Sequence, residues 1–235
     1  MKRIDKLLAE LNFGSRKIVR QMIKQKRVQV NGEIIQQVDF KIAETDSLMV
    51  DGQWIEHQSF VYYLLNKPKG YLSATEDAKQ RTVLELIDES DRRKGLFPVG
   101  RLDKDTTGVL LITNDGPLAH QLLSPKNHVD KTYFAEIKGI VSDELIEKFA
   151  NGLVISKDFT TMPSELKILK SDYISEIQLT IHEGKFHQVK RMFQSIGLSV
   201  INLERIQMKS LTLGNLERGA YRRLTTDEID SLKII

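Results

Sequence analysis

The chain predicts an α+β fold: a mixed, mostly antiparallel sheet flanked by helices, preceded by a small separate module. Three observations predict it. From Phe60 onward, strand and helix signals alternate without the even βαβ rhythm of a doubly wound sheet. Before that point the chain holds only two short helical patterns and a hairpin signal. Charge is also polarised inside this first stretch. Residues 1–31 carry nine Lys or Arg against Asp5 and Glu10, whereas residues 32–60 carry one lysine against six acids. The predicted units are 1–57 and 60–235, joined by Glu56-His57-Gln58-Ser59.

Each element of the first unit has a local cause. Ile4, Leu7, Leu8 and Leu11 recur at helical spacing, and Gly14 is a plausible stop. Ser15 suits the N-cap of a second helix, whose apolar stripe is Ile18, Val19, Met22 and Ile23. Its other face carries Arg16, Lys17, Arg20, Lys24 and Lys26. Val28-Gln29-Val30 alternates as a half-buried strand, Asn31-Gly32 is a strong hairpin turn, and Ile34-Ile35 begins the return strand. Arg3 to Leu8, Ser15-Arg16 and Val28 to Gly32 resemble the alpha-L RNA-binding motif found in the fourth small-subunit ribosomal protein. That resemblance implies that Arg16, Lys17, Arg20 and Lys24 contact phosphates, which position RNA without reading its sequence. Lys26-Arg27 stands where many members carry Gly-Arg. A left-handed lysine there would cost about 1–2 kcal/mol.

In the second unit the expected strands are Phe60–Leu65, Leu96–Val99, Val109–Thr113, Thr132–Lys138, Glu165–Leu169, Glu176–Ile181, Val200–Arg205 and Lys209–Leu213. The expected helices are Pro117–Leu123, Ser142–Ala150, Phe186–Ile196 and Thr226–Leu232. Thr225 with Glu228 makes a capping box for the last helix, and Gly197 closes the helix before it. Gly184 to Arg223 is a second basic stretch, with eight Lys or Arg against Glu204 and Glu217. Two separated basic stretches suit a surface that tracks a polyanion, and solvated helix faces give similar counts.

Composition excludes several classes. With 40% apolar and 29% charged residues, the chain reads as globular. No apolar run approaches the roughly 18 residues of a membrane span, and the N-terminus lacks the apolar region of a secretory signal. Zero cysteines exclude disulfides and thiolate metal sites and fit a cytoplasmic protein. The five histidines lack metal-ligand spacing, and no Gly-rich phosphate loop precedes a helix. No metal or cofactor is expected.

Four clusters carry possible chemistry. Gly100-Arg101-Leu102-Asp103-Lys104-Asp105-Thr106-Thr107-Gly108 places acids in a loop between two buried strands. An acid beside arginine and lysine suits a nucleophile or base, and a turn that bonds its own backbone is the alternative. Lys131-Thr132-Tyr133-Phe134 starts a strand whose tyrosine is either a core aromatic or a functional one. Glu183 to Met192 is a charged loop running into a basic helix, and Asn66-Lys67-Pro68-Lys69-Gly70 reads as a turn.

In this order and spacing, after an alpha-L module, the four clusters resemble the pseudouridine synthases, in the branch represented by RsuA, which acts on ribosomal RNA. The resemblance covers almost the whole chain. It implies a cofactor-free isomerisation: the bond from ribose to N1 of uracil breaks, the base turns, and a bond to C5 replaces it. By similarity Asp103 is the catalytic carboxylate, through a covalent adduct or a glycal route. Lys190 would be its counter-cation. Tyr133 would stack on the uracil, with its hydroxyl assisting removal of the C5 proton. Arg101 would hold the RNA open or fill the space of the flipped base, and Asp105, Thr106 and Thr107 would shape the loop. Lys67, Lys185, His187, Gln188 and Arg191 complete the expected RNA contacts. A monomer acting on small-subunit ribosomal RNA, free or in an assembly particle, is the expected form; the Met1 to Asp5 start and the lack of a long basic tail favour that subunit. The alternatives are a large-subunit synthase and a non-catalytic RNA-binding protein with the same fold. A carbohydrate hydrolase is a weaker one, because its two acids stand about 5–9.5 Å apart across a sugar.

Overall fold

A computed structural model of the chain describes residues 1–43, 45–57 and 60–234. They divide into two compact units, Met1–Phe60 and Val61–Ile235. Of the expected linker, Gln58 and Ser59 lie outside the described residues.

The first unit runs β1 (Lys2–Arg3), α1 (Ile4–Glu10), α2 (Arg16–Lys24), β2 (Val28–Val30), β3 (Glu33–Ile34), β4 (Lys41–Ile42), β5 (Leu48–Val50) and β6 (Gln53–Trp54). Four of these strands form a sheet ordered β3-β2-β5-β6, while β1 pairs with β4. The Ser15 side chain accepts from the Ile18 backbone N–H, so the expected cap is in place. Val19, Met22 and Ile23 are buried against Ile4, Leu7 and Leu8, but Ile18 is half exposed. The apolar stripe is therefore one residue narrower than its spacing suggested. Lys26 takes a φ of +63°, the left-handed conformation that glycine would adopt freely. Asp5 is buried beneath Arg3 at the end of β1 and Arg20 on α2, bonded to them at 3.0 Å and 3.2 Å.

The second unit is built on one sheet. Its elements are β7 (Tyr62–Lys67), β8 (Phe97–Pro98), β9 (Thr107–Thr113), α3 (Gly116–Leu123), β10 (Lys131–Lys138), α4 (Glu144–Ala150), β11 (Val154–Ser156), β12 (Phe159–Thr160), β13 (Glu165–Lys170), β14 (Ile174–Ile181), α5 (Gln188–Ser195), β15 (Ser199–Met208), β16 (Leu211–Thr212), β17 (Tyr221–Arg223) and α6 (Thr226–Lys233). The sheet order is β13-β14-β10-β15-β9-β7-β17, with β16 beside β15 and β8 beside β9. Among the described residues every strand pair in this sheet is antiparallel except β15 with β9. The α+β expectation therefore holds, with one parallel contact at the sheet's centre.

Several boundaries moved for physical reasons. Strand β7 extends to Lys67 because Lys67 pairs with Gly108 and the Asn66 N–H bonds the Ala220 carbonyl. The expected strands Val200–Arg205 and Lys209–Leu213 are one long strand to Met208, a left-handed Lys209 and a short return. Helix α5 starts at Gln188, because His187 sits at φ +48° and leaves Phe186 in the loop, 74% exposed. The strand β17, with two arginines in three residues, carried no hydrophobic alternation to announce it.

The core fills the sheet face under α4 and α5. Ala135, Ile137, Ile177, Leu179 and Leu203 pack there with Phe149 and Phe193, whose rings lie 5.2 Å apart. Gly108 sets the parallel contact between β9 and β15. Its φ is +103°, and a Cβ on it would stand 2.1 Å from the Arg205 carbonyl oxygen. Gly108→Ala should therefore cost about 2–5 kcal/mol of stability, from backbone strain plus overpacking. Urea unfolding measures this, and an unchanged midpoint would contradict the close-contact account.

Candidate active site

The loop from Arg101 to Thr106 is held from below by the Asn66–Gly70 segment. Lys67 is fully buried at the end of β7. Its ammonium donates to the carbonyls of Pro68 at 3.1 Å, Asp103 at 3.0 Å, Lys104 at 3.4 Å and Thr106 at 2.9 Å. The Gly70 N–H donates to the Lys104 carbonyl at 2.8 Å, and the Thr106 N–H to the Asp103 carbonyl at 3.1 Å. Ser73 adds a two-way bond with Leu102: its hydroxyl donates to the carbonyl and accepts from the N–H. Burial pushes the Lys67 pKa down to about 8, against the pull of Asp105 and Asp103. Asn66 ties the same corner to the loop between β16 and β17, accepting from Arg218 at 2.7 Å and donating to the Leu216 carbonyl at 2.8 Å.

This clamp presents Asp103 to the start of α5. Lys190 lies 3.0 Å from one Asp103 carboxylate oxygen and 2.6 Å from Asp105. His187 Nε2 lies 3.5 Å from the other Asp103 oxygen. Burial opposes the charge on Lys190, but hydrogen bonds to Asp105 and Asp103 outweigh it and hold its pKa above the usual lysine value. For Asp105 burial pulls upward, and the Lys190 bond and charge overcome it, leaving the carboxyl below its ordinary value. Both acids thus converge on one ammonium instead of facing each other across a gap. That arrangement does not fit the flanking acid pair of a carbohydrate hydrolase.

Beside Asp103 opens a cavity of about 220 Å³. It is smaller than the roughly 300–1,000 Å³ of drug-sized ligand sites, so it suits one nucleotide-sized group. Arg101, Asp103, Tyr133, Lys185, His187 and Gln188 all line it. Tyr133 is mostly buried, and among the described residues its hydroxyl has no hydrogen-bond partner. Arg101 and Lys185 are exposed, and among the described residues neither side chain forms an ion pair.

One expected RNA contact is corrected. Lys67 cannot reach RNA, because it is buried and its ammonium is spent on loop carbonyls. Gln188 is also buried: it accepts from the Lys185 N–H and donates to Glu183, each at 2.9 Å, and so shapes the 183–188 loop. Arg191 turns its guanidinium over the Phe159 ring at 5.6 Å and does not line the cavity. In the first unit, Arg16, Lys17 and Lys24 are exposed on α2, while Arg20 is partly engaged by Asp5.

Residue reading missed Arg205, Thr106 as a cavity residue and Lys131 as a buried cation. All three line the cavity. Arg205 ends what looks like an ordinary strand pattern, and only its cross-strand pairing with Tyr133 brings it to the site. The register between β10 and β15 shifts at Thr132/Tyr133, a bulge of the kind that re-aims side chains.

Comparison with known proteins decides the lineage. Residues 61–195 match the RNA pseudouridylate synthase family, and residues 2–48 match the S4 domain. The chain belongs to the RNA pseudouridylate synthase family. It is an isomerase with an S4 domain ahead of its synthase unit. A ribosomal large subunit pseudouridine synthase B of Bacillus subtilis is 40% identical, over 100% of this chain and 97% of that protein. A ribosomal small subunit pseudouridine synthase A of Escherichia coli is 39% identical, over 98% of this chain and 99% of that protein. A crystal structure described as a pseudouridylate synthase superposes at TM-score 0.69 with 33% identity, over 99% of this chain and 100% of that one.

The Lys67 clamp makes a prediction with a sign. Lys67→Met removes the ammonium shared by four carbonyls, of which those of Asp103 and Lys104 keep a backbone N–H donor, and should lower stability by about 2–4 kcal/mol. Lys67 has a folded value of about 8 against an ordinary 10.5. Its buried charge penalises the native state fully below pH 8, and that penalty lifts as pH rises to 10.5. The wild type's stability advantage over Lys67→Met should therefore widen across that window. Chemical denaturation at several pH values checks it, and a narrowing gap would contradict burial as the cause.

Proposed function

We propose that this protein converts uridine to pseudouridine in ribosomal RNA, with Asp103 as the reacting carboxylate and small-subunit RNA as its target. The observation that carries the reading is the Asp103 carboxylate at the rim of a nucleotide-sized cavity, with Lys190 at 3.0 Å and the Tyr133 ring inside. Relatives named for each ribosomal subunit support ribosomal RNA as the substrate class. A uridine in folded RNA must leave its stack to enter such a cavity, at a cost of a few kcal/mol. Phosphate contacts from the basic surfaces offset that cost.

The chemistry needs no net gain or loss of atoms. The N1–C1′ bond breaks and its electron pair leaves with the uracil. Asp103 acts at the ribose, either bonding C1′ or taking a ribose proton. The base turns while Tyr133 holds its plane. C5 then bonds C1′ as the Asp103–C1′ bond breaks or, on the other route, as the ribose takes its proton back from Asp103; the C5 proton leaves to water through the Tyr133 hydroxyl, and N1 takes one up. Arg101 contacts the RNA around the vacated position. Lys190 bridges Asp103 and Asp105 and offsets their mutual repulsion, and Asp105 supports the loop without touching the ribose.

Two experiments test this. Incubated with small- and large-subunit ribosomal RNA, the wild type should form pseudouridine at a defined site in the small-subunit RNA. Asp103→Asn should lose activity by a factor of about 10³ or more, and Asp105→Asn by far less. Equal loss in both variants, with folding intact, would refute the division of roles. Binding without product, unchanged in Asp103→Ala, would support a binding-only protein instead. For the first unit, Lys17→Ala with Lys24→Ala should flatten the slope of log affinity against log salt by about 1.4–1.8, from two lost phosphate contacts. An unchanged slope would remove α2 from the RNA-binding surface.

A further inference from the structure

The cavity holds a positive charge that the chemistry above leaves without a task. Arg205 is 3% exposed. Its Nε donates to the Val109 carbonyl at 2.8 Å, and its Nη2 is buried with no hydrogen-bond partner. Among the described residues it forms no ion pair. Thr106, on the same cavity, also has a buried Oγ1 with no partner. Buried polar groups are nearly always satisfied, and a buried cation without an acid costs several kcal/mol. Nearby Lys131 compounds the cost. It is almost fully buried, its ammonium donates to the Val129 carbonyl at 2.5 Å with no other partner among the described residues, and burial with the Arg205 charge pushes its pKa down to about 8. Such a floor is built to meet acceptors that arrive with a ligand.

Sheet geometry says which acceptors. Arg205 and Tyr133 are direct cross-strand partners on β15 and β10, so their side chains share one sheet face. A ring stacked on Tyr133 would present its edge to the guanidinium. A guanidinium donates and cannot accept. Uracil offers a carbonyl oxygen at C4, whereas cytosine puts an amino donor there. We propose that Arg205, with Thr106 beside it on the cavity wall, reads the C4 carbonyl of the flipped uracil and excludes cytosine. The proposal rests on the reading of this protein as a ribosomal RNA pseudouridine synthase. When the N1–C1′ bond breaks and its electron pair stays with the base, negative charge spreads to the ring's carbonyl oxygens. A guanidinium already in place stabilises that charge without reorganising. Arg205 is thus a specificity residue whose loss strikes turnover more than RNA affinity.

The test uses the full-length protein and a ribosomal RNA fragment with a uridine or a 4-thiouridine at the mapped target. Sulfur is a weak acceptor, so the wild type should convert the thio substrate at least tenfold more slowly. Arg205→Met should lower kcat by about 10²–10³, leave KM within threefold, and show no further thio penalty. Free guanidinium should restore part of the Arg205→Met rate on uridine. If Arg205→Met fails to fold, Arg205→Lys is read in its place, with a smaller loss and a smaller thio penalty. A folded variant within threefold of wild-type kcat, or an equal thio penalty in wild type and variant, would overturn the proposal. So would a wild type indifferent to sulfur. A wild type that makes no pseudouridine in any ribosomal RNA overturns the functional reading itself and the proposal with it.

Discussion

A single buried ammonium organises this site. Lys67 ends a strand in which every residue is buried, and it gathers carbonyls from both Pro68 and the Asp103–Thr106 loop. Burying a cation away from water costs several kcal/mol, and carbonyl bonds recover that cost only when the backbone is held in one shape. The loop is therefore not free to choose its own turn. Its main chain is curled around the ammonium, and its acids project outward toward α5. Asp103 and Asp105 also lie near enough for their charge to favour the protonated lysine. The carboxylate end of the site and its foundation are thus electrostatically coupled.

Everything facing that loop comes from sequence-distant strands. Gly108 lets β15 approach β9 in the sheet's one parallel contact, which carries Arg205 to the cavity. The irregular register between β10 and β15 brings Tyr133 alongside it. A left-handed His187 starts α5 where Lys190 can span both acids, and it leaves Phe186 exposed and stacked on the His187 ring at 3.8 Å. Strained backbone of this kind persists at sites whose surroundings over-determine it. The cavity is consequently a product of sheet pairing. The loop supplies only one wall.

What could be read beforehand was what local chemistry decides. The Ser15 cap, the capping box of Thr225 and Glu228 and the left-handed Lys26 all follow from a few neighbouring residues. The clusters around Asp103, Tyr133 and Lys190 were visible as motifs, and the fold brings them to one place. Residues whose role depends on a distant partner were misread. Lys67 looked like a surface charge because nothing in Asn66-Lys67-Pro68-Lys69-Gly70 reveals that a loop some 36 residues onward will cover it. Arg205 looked like a strand-end charge for the same reason. Strand β17 was missed because its arginines pair outward, with Glu228 and Asp91, while its backbone completes the sheet beside β7.

The central claim is that this loop-held carboxylate modifies ribosomal RNA. Mapping pseudouridines in the ribosomal RNA of cells lacking the protein tests it most directly. One defined site should lose its pseudouridine, the wild type should restore it, and Asp103→Asn should not. An unchanged map, or full restoration by Asp103→Asn, would contradict it.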